Sequence, residues 1–73
     1  MKRMYTVAYS MFFGDTERHI EVLADCKENA YNIATYEAIP QKEGSHAYGV
    51  WVKSTTYHNG TVHEFNTFEG KRF

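Results

Sequence analysis

The segment from residue 49 to residue 68, GVWVKSTTYHNGTVHEFNTF, decides the fold that we predict for this chain. Two runs of alternating side chains flank the dipeptide Asn59-Gly60. Asn-Gly favours a two-residue type I′ hairpin turn, because both of its residues tolerate a positive φ. The segment is therefore predicted to form a hairpin, with strands at about residues 47–58 and 61–68.

The predicted turn also determines which side chains share a face of the hairpin. A two-residue loop pairs Thr56 with His63. Because side chains alternate along a strand, one face then carries Tyr48, Val50, Val52 and Phe65, and we expect this face to pack against the helix. The opposite face carries Trp51, Lys53, Thr55 and Tyr57, facing Phe68, Asn66, Glu64 and Val62.

A second hairpin is predicted near the start of the chain. Apolar side chains alternate along two strands, at about residues 4–13 and 16–24. Gly14-Asp15 between them suits a two-residue type II′ turn, which places Tyr9 opposite Ile20. In this register the apolar side chains of both strands fall on one face of the sheet, which supports the pairing.

A helix is predicted between the two hairpins, at about residues 26–38. Asp25 is placed to cap its first turn, and Glu28 completes a capping box. Pro40 disfavours a helical conformation at the residue before it, so we expect the helix to stop at Ala38. One side of this helix is small and apolar and is expected to pack on the sheet, with Cys26, Ala30, Ile33, Ala34 and Ala38.

These elements define an α+β fold of order ββαββ, in a single domain that spans residues 1–73 and ends in a tail at residues 69–73. One helix packs on one face of a four-stranded, mostly antiparallel sheet. The strand orders 2-1-3-4 and 1-2-4-3 both satisfy the preference for short connections. Arg18 falls on the face that meets the helix, where Glu37 is its candidate partner.

The composition argues against nucleic-acid binding and a membrane span, and it favours an intracellular protein. The chain of 73 residues has 8 basic and 9 acidic side chains and a formal net charge of −1, whereas nucleic-acid-binding domains usually carry a basic stripe. No apolar run approaches the ~18 residues of a membrane span. A single cysteine, Cys26, allows no internal disulfide and fits a reducing compartment. We expect a cytoplasmic protein with no membrane partner.

The main candidate site is the sheet face that the helix leaves uncovered, which we call the open face. Exposed apolar patches usually mark an interface, and Trp and Tyr are frequent in interface hot spots. We therefore expect a protein partner, or a second copy of the chain, to bind through Trp51, Lys53, Tyr57, Val62, Phe68 and Phe12. Two plainer alternatives stay open: this face meets only water, or Phe73 of the tail covers part of it.

Two other functions stand as alternatives. Nucleic-acid bases stack on sheet-face aromatic side chains, and Trp51 and Tyr57 share a face, but the charge balance opposes this function. Alternation also places Glu17, His19 and Glu21 on one face of a strand, where they are candidate metal ligands or acid–base groups. Polar side chains on a water-facing strand need no such role, and no recognisable cleft-forming loop accompanies them.

The sequence thus predicts a small protein-binding module that is not an enzyme and needs no cofactor or metal. No phosphate-binding motif is evident, because no glycine-rich loop precedes the helix. A short chain of this kind is typical of accessory factors and inhibitors encoded by phages or mobile elements. That last association rests on size alone.

Overall fold

A computed structural model describes residues 2–65 of the chain. It contains a four-stranded antiparallel sheet in the order β2-β1-β3-β4, with strands β1 (Arg3–Ser10), β2 (Arg18–Ala24), β3 (Gly49–Thr56) and β4 (Val62–Glu64). The predicted α+β fold of order ββαββ is confirmed, and the first of the two strand orders is the one observed. The predicted continuation of the last strand to residue 68 and the tail at residues 69–73 lie outside the described residues.

One helical rod of 17 residues connects β2 to β3. It consists of α1 (Lys27–Ile33), a π-helical turn (Ala34–Ala38) and α2 (Ile39–Glu43). The prediction that Pro40 stops the helix at Ala38 is wrong. Proline lacks an N–H and crowds the preceding turn of an α-helix, and the wider π-helical turn accommodates both defects. The rod ends instead at Gly44, whose φ of 83° lies in the left-handed region.

The first turn of the helix also differs from the predicted capping. Cys26, not Asp25, is the N-cap residue, with an extended backbone at φ −154° and ψ 171°. Its carbonyl accepts a hydrogen bond from the Ala30 N–H at 3.0 Å. Because the helix begins one residue later than predicted, Cys26 is exposed and does not join the buried side that carries Ala30 and Ala34.

The register of the first hairpin differs from the predicted register by two residues. Tyr9 lies opposite Arg18, and Val7 lies opposite Ile20, so the connection covers residues 11–17 instead of two residues. A tight turn does form at Gly14, whose φ is 87°, but the Asp15 N–H closes it on the Phe12 carbonyl at 3.0 Å. Since the shift is by an even number of residues, the face that each side chain occupies is unchanged.

The second hairpin closes through three loop residues, not two. The Tyr57 N–H bonds to the Thr61 carbonyl at 2.8 Å, and the Gly60 N–H bonds to the Tyr57 carbonyl at 2.9 Å. Gly60 has a φ of 89°, whereas Asn59 is not in the positive-φ region. The predicted type I′ turn is therefore wrong. The loop has the form of a turn followed by a left-handed glycine, a common three-residue hairpin connection.

This loop and a β-bulge at Lys53 change the pairing of β3. Val7 lies opposite Val52, but the preceding residue of β1, Thr6, lies opposite Ser54, so Lys53 is an extra residue on β3. An extra residue reverses the alternation beyond it. Thr55, predicted for the open face, is therefore 3% exposed on the face that meets the helix, whereas Val50 and Val52 pack there as predicted.

The core lies between the helix and one face of the sheet. Small helical side chains allow a close approach to the strands, and the longer rod adds Ile39, which is fully buried. The Tyr5 ring stacks on the Phe65 ring with centroids 6.3 Å apart, so Phe65 joins the core as predicted. The buried core residues are Tyr5, Val7, Tyr9, Val22, Ala24, Ala30, Ala34, Ile39, Val50 and Val52.

Candidate functional site: the open face of the sheet

Three neighbouring cross-strand rows form most of the described part of the open face, and the pair Ser10–Gly49 lies beyond them. The strand pairing defines an apolar row (Leu23, Met4, Thr56, Val62), a polar row (Glu21, Thr6, Ser54, Glu64) and a tryptophan row (His19, Ala8, Trp51). Side chains on one face recur every second residue, so neighbouring rows lie about 6.8 Å apart along the strands. The polar row is the middle one of the three.

The apolar row is an exposed strip that crosses all four strands. Met4, Leu23 and Val62 retain 38%, 52% and 54% of their accessible surface. Met4 lies directly opposite Leu23 on one side and Thr56 on the other, and Thr56 lies opposite Val62. Single exposed apolar residues are ordinary, but three of them in one cross-strand row, interrupted only by Thr56, are typical of an interaction surface.

The tryptophan row combines one large ring with a flat neighbour. Trp51 is half-buried, and it lies directly opposite Ala8 of the central strand. Ala8 is fully buried, although it faces away from the helix, because His19 and Trp51 flank it across the sheet. The row therefore presents the Trp51 indole beside a small, buried side chain, Ala8. This arrangement suits contact with a partner side chain.

A polar network lies beside the tryptophan row. The Glu17 carboxylate lies 2.6 Å from Nε2 of His19 and accepts a hydrogen bond from the Lys53 ammonium at 3.2 Å. Partial burial opposes ionisation of Glu17, but these two contacts lower its pKa below the usual value. Glu21, the third member of the predicted polar triplet, lies in the next row. Within residues 2–65, no group of three or more His, Cys, Asp or Glu side chains is arranged to hold a metal ion.

A depression of about 200 Å³ lies at the bulge at Lys53, between the polar network and the polar row. Its lining consists of Thr6, His19, Lys53, Ser54 and Glu64. Without the bulge, consecutive residues of β3 would project to opposite faces, but here Lys53 and Ser54 both reach the open face. Bulges commonly redirect side chains in this way next to functional sites.

The residues predicted to bind a partner do not all lie together. Trp51, Lys53 and Val62 lie on the open face, whereas Phe12 lies in the connection at residues 11–17 and is exposed. Phe68 lies outside the described residues.

Tyr57 is the residue whose predicted face is wrong. The bulge turns it toward the helix side of the sheet, where the Arg3 guanidinium lies 5.0 Å from its ring centroid. On the same side, the Tyr57 ring lies 6.3 Å from that of His63. His63 in turn contacts Phe65 edge to face at 5.2 Å. Tyr57 therefore belongs to an aromatic group at the end of the core and not to the open face.

A polar network that the sequence analysis did not identify fixes the connection at residues 11–17. The Arg18 guanidinium contacts Asp15 at 3.1 Å and Glu43 at 2.9 Å, instead of the predicted partner Glu37. The Asp15 carboxylate also accepts the Met11 N–H at 2.7 Å. The position of Arg18 on the helix face was the available signal, but its partner lies on α2, beyond the predicted end of the helix.

Tyr9 completes this network from within the core. Its hydroxyl donates to Glu43 at 2.6 Å. Burial, together with this hydrogen bond, raises the pKa of Tyr9 to about 12. The Tyr9 hydroxyl, followed by the Arg18 guanidinium, holds the pKa of Glu43 below its usual value. The Met11 N–H, followed by Arg18, lowers the pKa of Asp15. Both carboxylates are thus ionised in the folded chain at neutral pH.

Comparison of the chain with protein-family models, with curated proteins and with solved structures finds no match. Among the described residues, no helix has the length and apolar character needed to cross a membrane. The geometry of the open face is therefore the basis for assigning a function.

Proposed function

We propose that this chain is a small, non-catalytic protein-binding module that engages a protein partner through the open face of its sheet. One observation carries the proposal: the apolar row leaves Met4, Leu23 and Val62 exposed as a strip across the sheet, two rows from Trp51. Apolar strips of this kind gain free energy when a partner removes them from water, and Trp is enriched among the residues that dominate such interfaces.

The charges of the open face favour a partner that differs from both nucleic acid and a second copy. The described part of the face carries three carboxylates, Glu17, Glu21 and Glu64, and its Lys53 ammonium is already paired with Glu17. Phosphates would be repelled by this face, since nucleic-acid affinity depends on neutralising them with basic groups. Two open faces packed together would bring like charges close, which is unfavourable. These charges support a protein partner with basic side chains.

The small size and the exposed binding strip suit an accessory factor or an inhibitor that acts by occupying a surface of its target, such as one encoded by a phage or mobile element. The exposed thiol of Cys26 suits the reducing cytoplasm, where free cysteines persist.

Affinity capture from a native lysate, with the full chain immobilised, tests the proposal. Leu23→Ser and Val62→Ser shorten the apolar strip, and Tyr36→Ser is the matched control, because Tyr36 lies on the helix and is 66% exposed. We expect a protein captured by the wild-type chain and by Tyr36→Ser to be lost with the double variant. Calorimetric titration of that purified protein should then show binding at least about tenfold weaker for the double variant, a loss of ~1.4 kcal/mol.

If the folded double variant binds the purified protein as tightly as the wild-type chain does, the open face is not the binding surface. Circular dichroism of each variant shows whether it is folded, so a loss of binding cannot be mistaken for a loss of structure.

A further inference from the structure

We propose, building on the proposed function, that the open face binds an extended segment of its partner in which an arginine is flanked by apolar residues two positions away on each side. The arginine is seated in the depression lined by Ser54 and Glu64, and the apolar residues contact the apolar row and Trp51. The occupant is thus a protein segment of the form apolar-x-Arg-x-apolar.

The spacing of the three rows supports this form. Along the strands, the apolar row, the polar row and the tryptophan row follow one another at about 6.8 Å. An extended segment that lies along the strands projects every second side chain toward the sheet at the same repeat. Three such side chains therefore meet an apolar, a polar and an aromatic environment in turn, which matches an apolar-x-polar-x-apolar pattern.

The charges around the depression indicate that the central residue of the bound segment is cationic. Neither Glu21 nor Glu64, at the two ends of the polar row, forms an ion pair with another described residue, whereas Lys53 is compensated by Glu17. Among the charged side chains of residues 2–65, the uncompensated charge beside the depression is therefore negative. A cation that enters the depression gains attraction to Glu64 and is screened from Lys53 by the Glu17 carboxylate.

The lining of the depression favours arginine over lysine. Among the residues that line the depression, Thr6 and Ser54 provide hydroxyl oxygens and Glu64 provides carboxylate oxygens, so several acceptors are available to one cation. The planar guanidinium has five N–H donors that can reach several acceptors at once, whereas the ammonium of lysine is a compact point charge. The guanidinium also stacks readily on aromatic rings, and the Trp51 indole lies in the adjoining row.

Titration of the ¹⁵N-labelled full chain with a synthetic peptide, followed by NMR, tests this inference. The probe is acetyl-Leu-Ser-Arg-Ser-Leu-amide, and its matched control carries citrulline, which keeps the shape of arginine but lacks its charge. We expect the arginine peptide to shift the amide signals of Thr6, His19, Ser54 and Glu64, with a dissociation constant on the order of 1 mM. The citrulline peptide should bind at least about fivefold more weakly, as expected for the loss of a charge-assisted contact.

Two protein variants locate the cation. Glu64→Gln should lower the affinity for the arginine peptide to the affinity that the wild-type chain has for the citrulline peptide. Glu28→Gln should leave its affinity unchanged, because Glu28 lies in the first turn of α1, away from the open face. Raising the salt concentration should weaken the arginine peptide and have little effect on the citrulline peptide.

The outcomes separate this inference from the proposed function. Equal affinity of the two peptides, or shifts confined to residues outside the depression, would overturn the inference. Failure of both peptides to bind would also overturn it, while the proposed function would stand if the captured protein still requires Leu23 and Val62. Conversely, if the double variant at Leu23 and Val62 captures the protein as well as the wild-type chain does, the proposed function is wrong, whatever the result with the peptides.

Discussion

Thr55 and Thr56 are neighbours on β3 with opposite surroundings. Thr55 is 3% exposed on the helix side of the sheet, and its hydroxyl donates to the Met4 carbonyl at 3.1 Å. Thr56 lies in the apolar row of the open face. The bulge at Lys53 produces this arrangement, because regular alternation from Val52 would place Thr55 on the open face and Thr56 toward the helix.

Glutamate substitutions distinguish these two surroundings. Thr55→Glu should destabilise the chain by at least about 3 kcal/mol, because it buries an unpaired charge in a small core. Thr56→Glu should change the free energy of unfolding by no more than about 0.5 kcal/mol, because the new carboxylate reaches water. Chemical denaturation of both variants measures the difference. The reverse order of stability would show that β3 alternates regularly and that the bulge is absent.

The bulge also explains which site residues the sequence could predict. Alternation correctly places Val50, Trp51 and Val52, which precede the bulge, and it misplaces Thr55 and Tyr57, which follow it. Nothing in the local pattern marks Lys53 as an extra residue. The bulge arises from the pairing of β3 with β1, and such tertiary pairing overrides local preferences in strands.

At the scale of secondary-structure elements, one ion network joins three parts of the chain. Arg18 at the start of β2 contacts Asp15 in the connection that follows β1 and Glu43 at the end of α2. The connection at residues 11–17 also carries Phe13, which is 84% exposed and whose ring lies edge to face with that of Tyr48, with centroids 6.3 Å apart. The ion network therefore stabilises a connection that has little apolar burial of its own.

Removing Arg18 should change how stability depends on pH. The lowered pKa values of Asp15 and Glu43 mean that their ionised forms stabilise the folded chain at neutral pH, and that this contribution is lost as pH falls through the lowered values. We expect Arg18→Met to melt at a lower temperature than the wild-type chain at pH 7. The difference in melting temperature between the variant and the wild-type chain should narrow once the pH falls below the ordinary pKa values of the two carboxyls, 3.8 for Asp15 and 4.5 for Glu43.

Thermal unfolding at a series of pH values measures this gap. Lys2→Met is the matched control, since it removes an exposed cation that forms no contact with the network, and it should melt like the wild-type chain throughout. A gap for Arg18→Met that stays constant across the acid range would mean that Arg18 acts through packing and not through the two carboxylates.

The elements themselves were predictable because their signals are local. Alternation predicted both hairpins, and the stripe of small residues at Ala30 and Ala34 predicted the helix and its buried side. The end of the helix was not predictable in the same way. Pro40 is a local stop signal, but the π-helical turn before it and the burial of Ile39 in the core let the rod continue to Glu43. Packing thus outweighed the local preference.

At the scale of the whole molecule, the helix covers one side of the sheet and the opposite side presents the three rows. The strand order β2-β1-β3-β4 places the two short hairpins side by side, so the rows run across both of them. A surface assembled from four strands is not visible in any one segment of sequence. The sequence predicted that an open face exists and that Trp51 lies on it, but the rows and the depression depend on the registers, which the turns did not reveal.

Trp51, the only tryptophan in the chain, shows most directly whether a partner binds the open face. Its fluorescence reports solvent access, which quenching by iodide measures in the free chain and after addition of the purified partner. We predict that the partner protects the indole and shifts its emission toward shorter wavelengths, because binding buries the open face. Unchanged quenching and emission in a chain saturated with partner would show that the protein binds elsewhere.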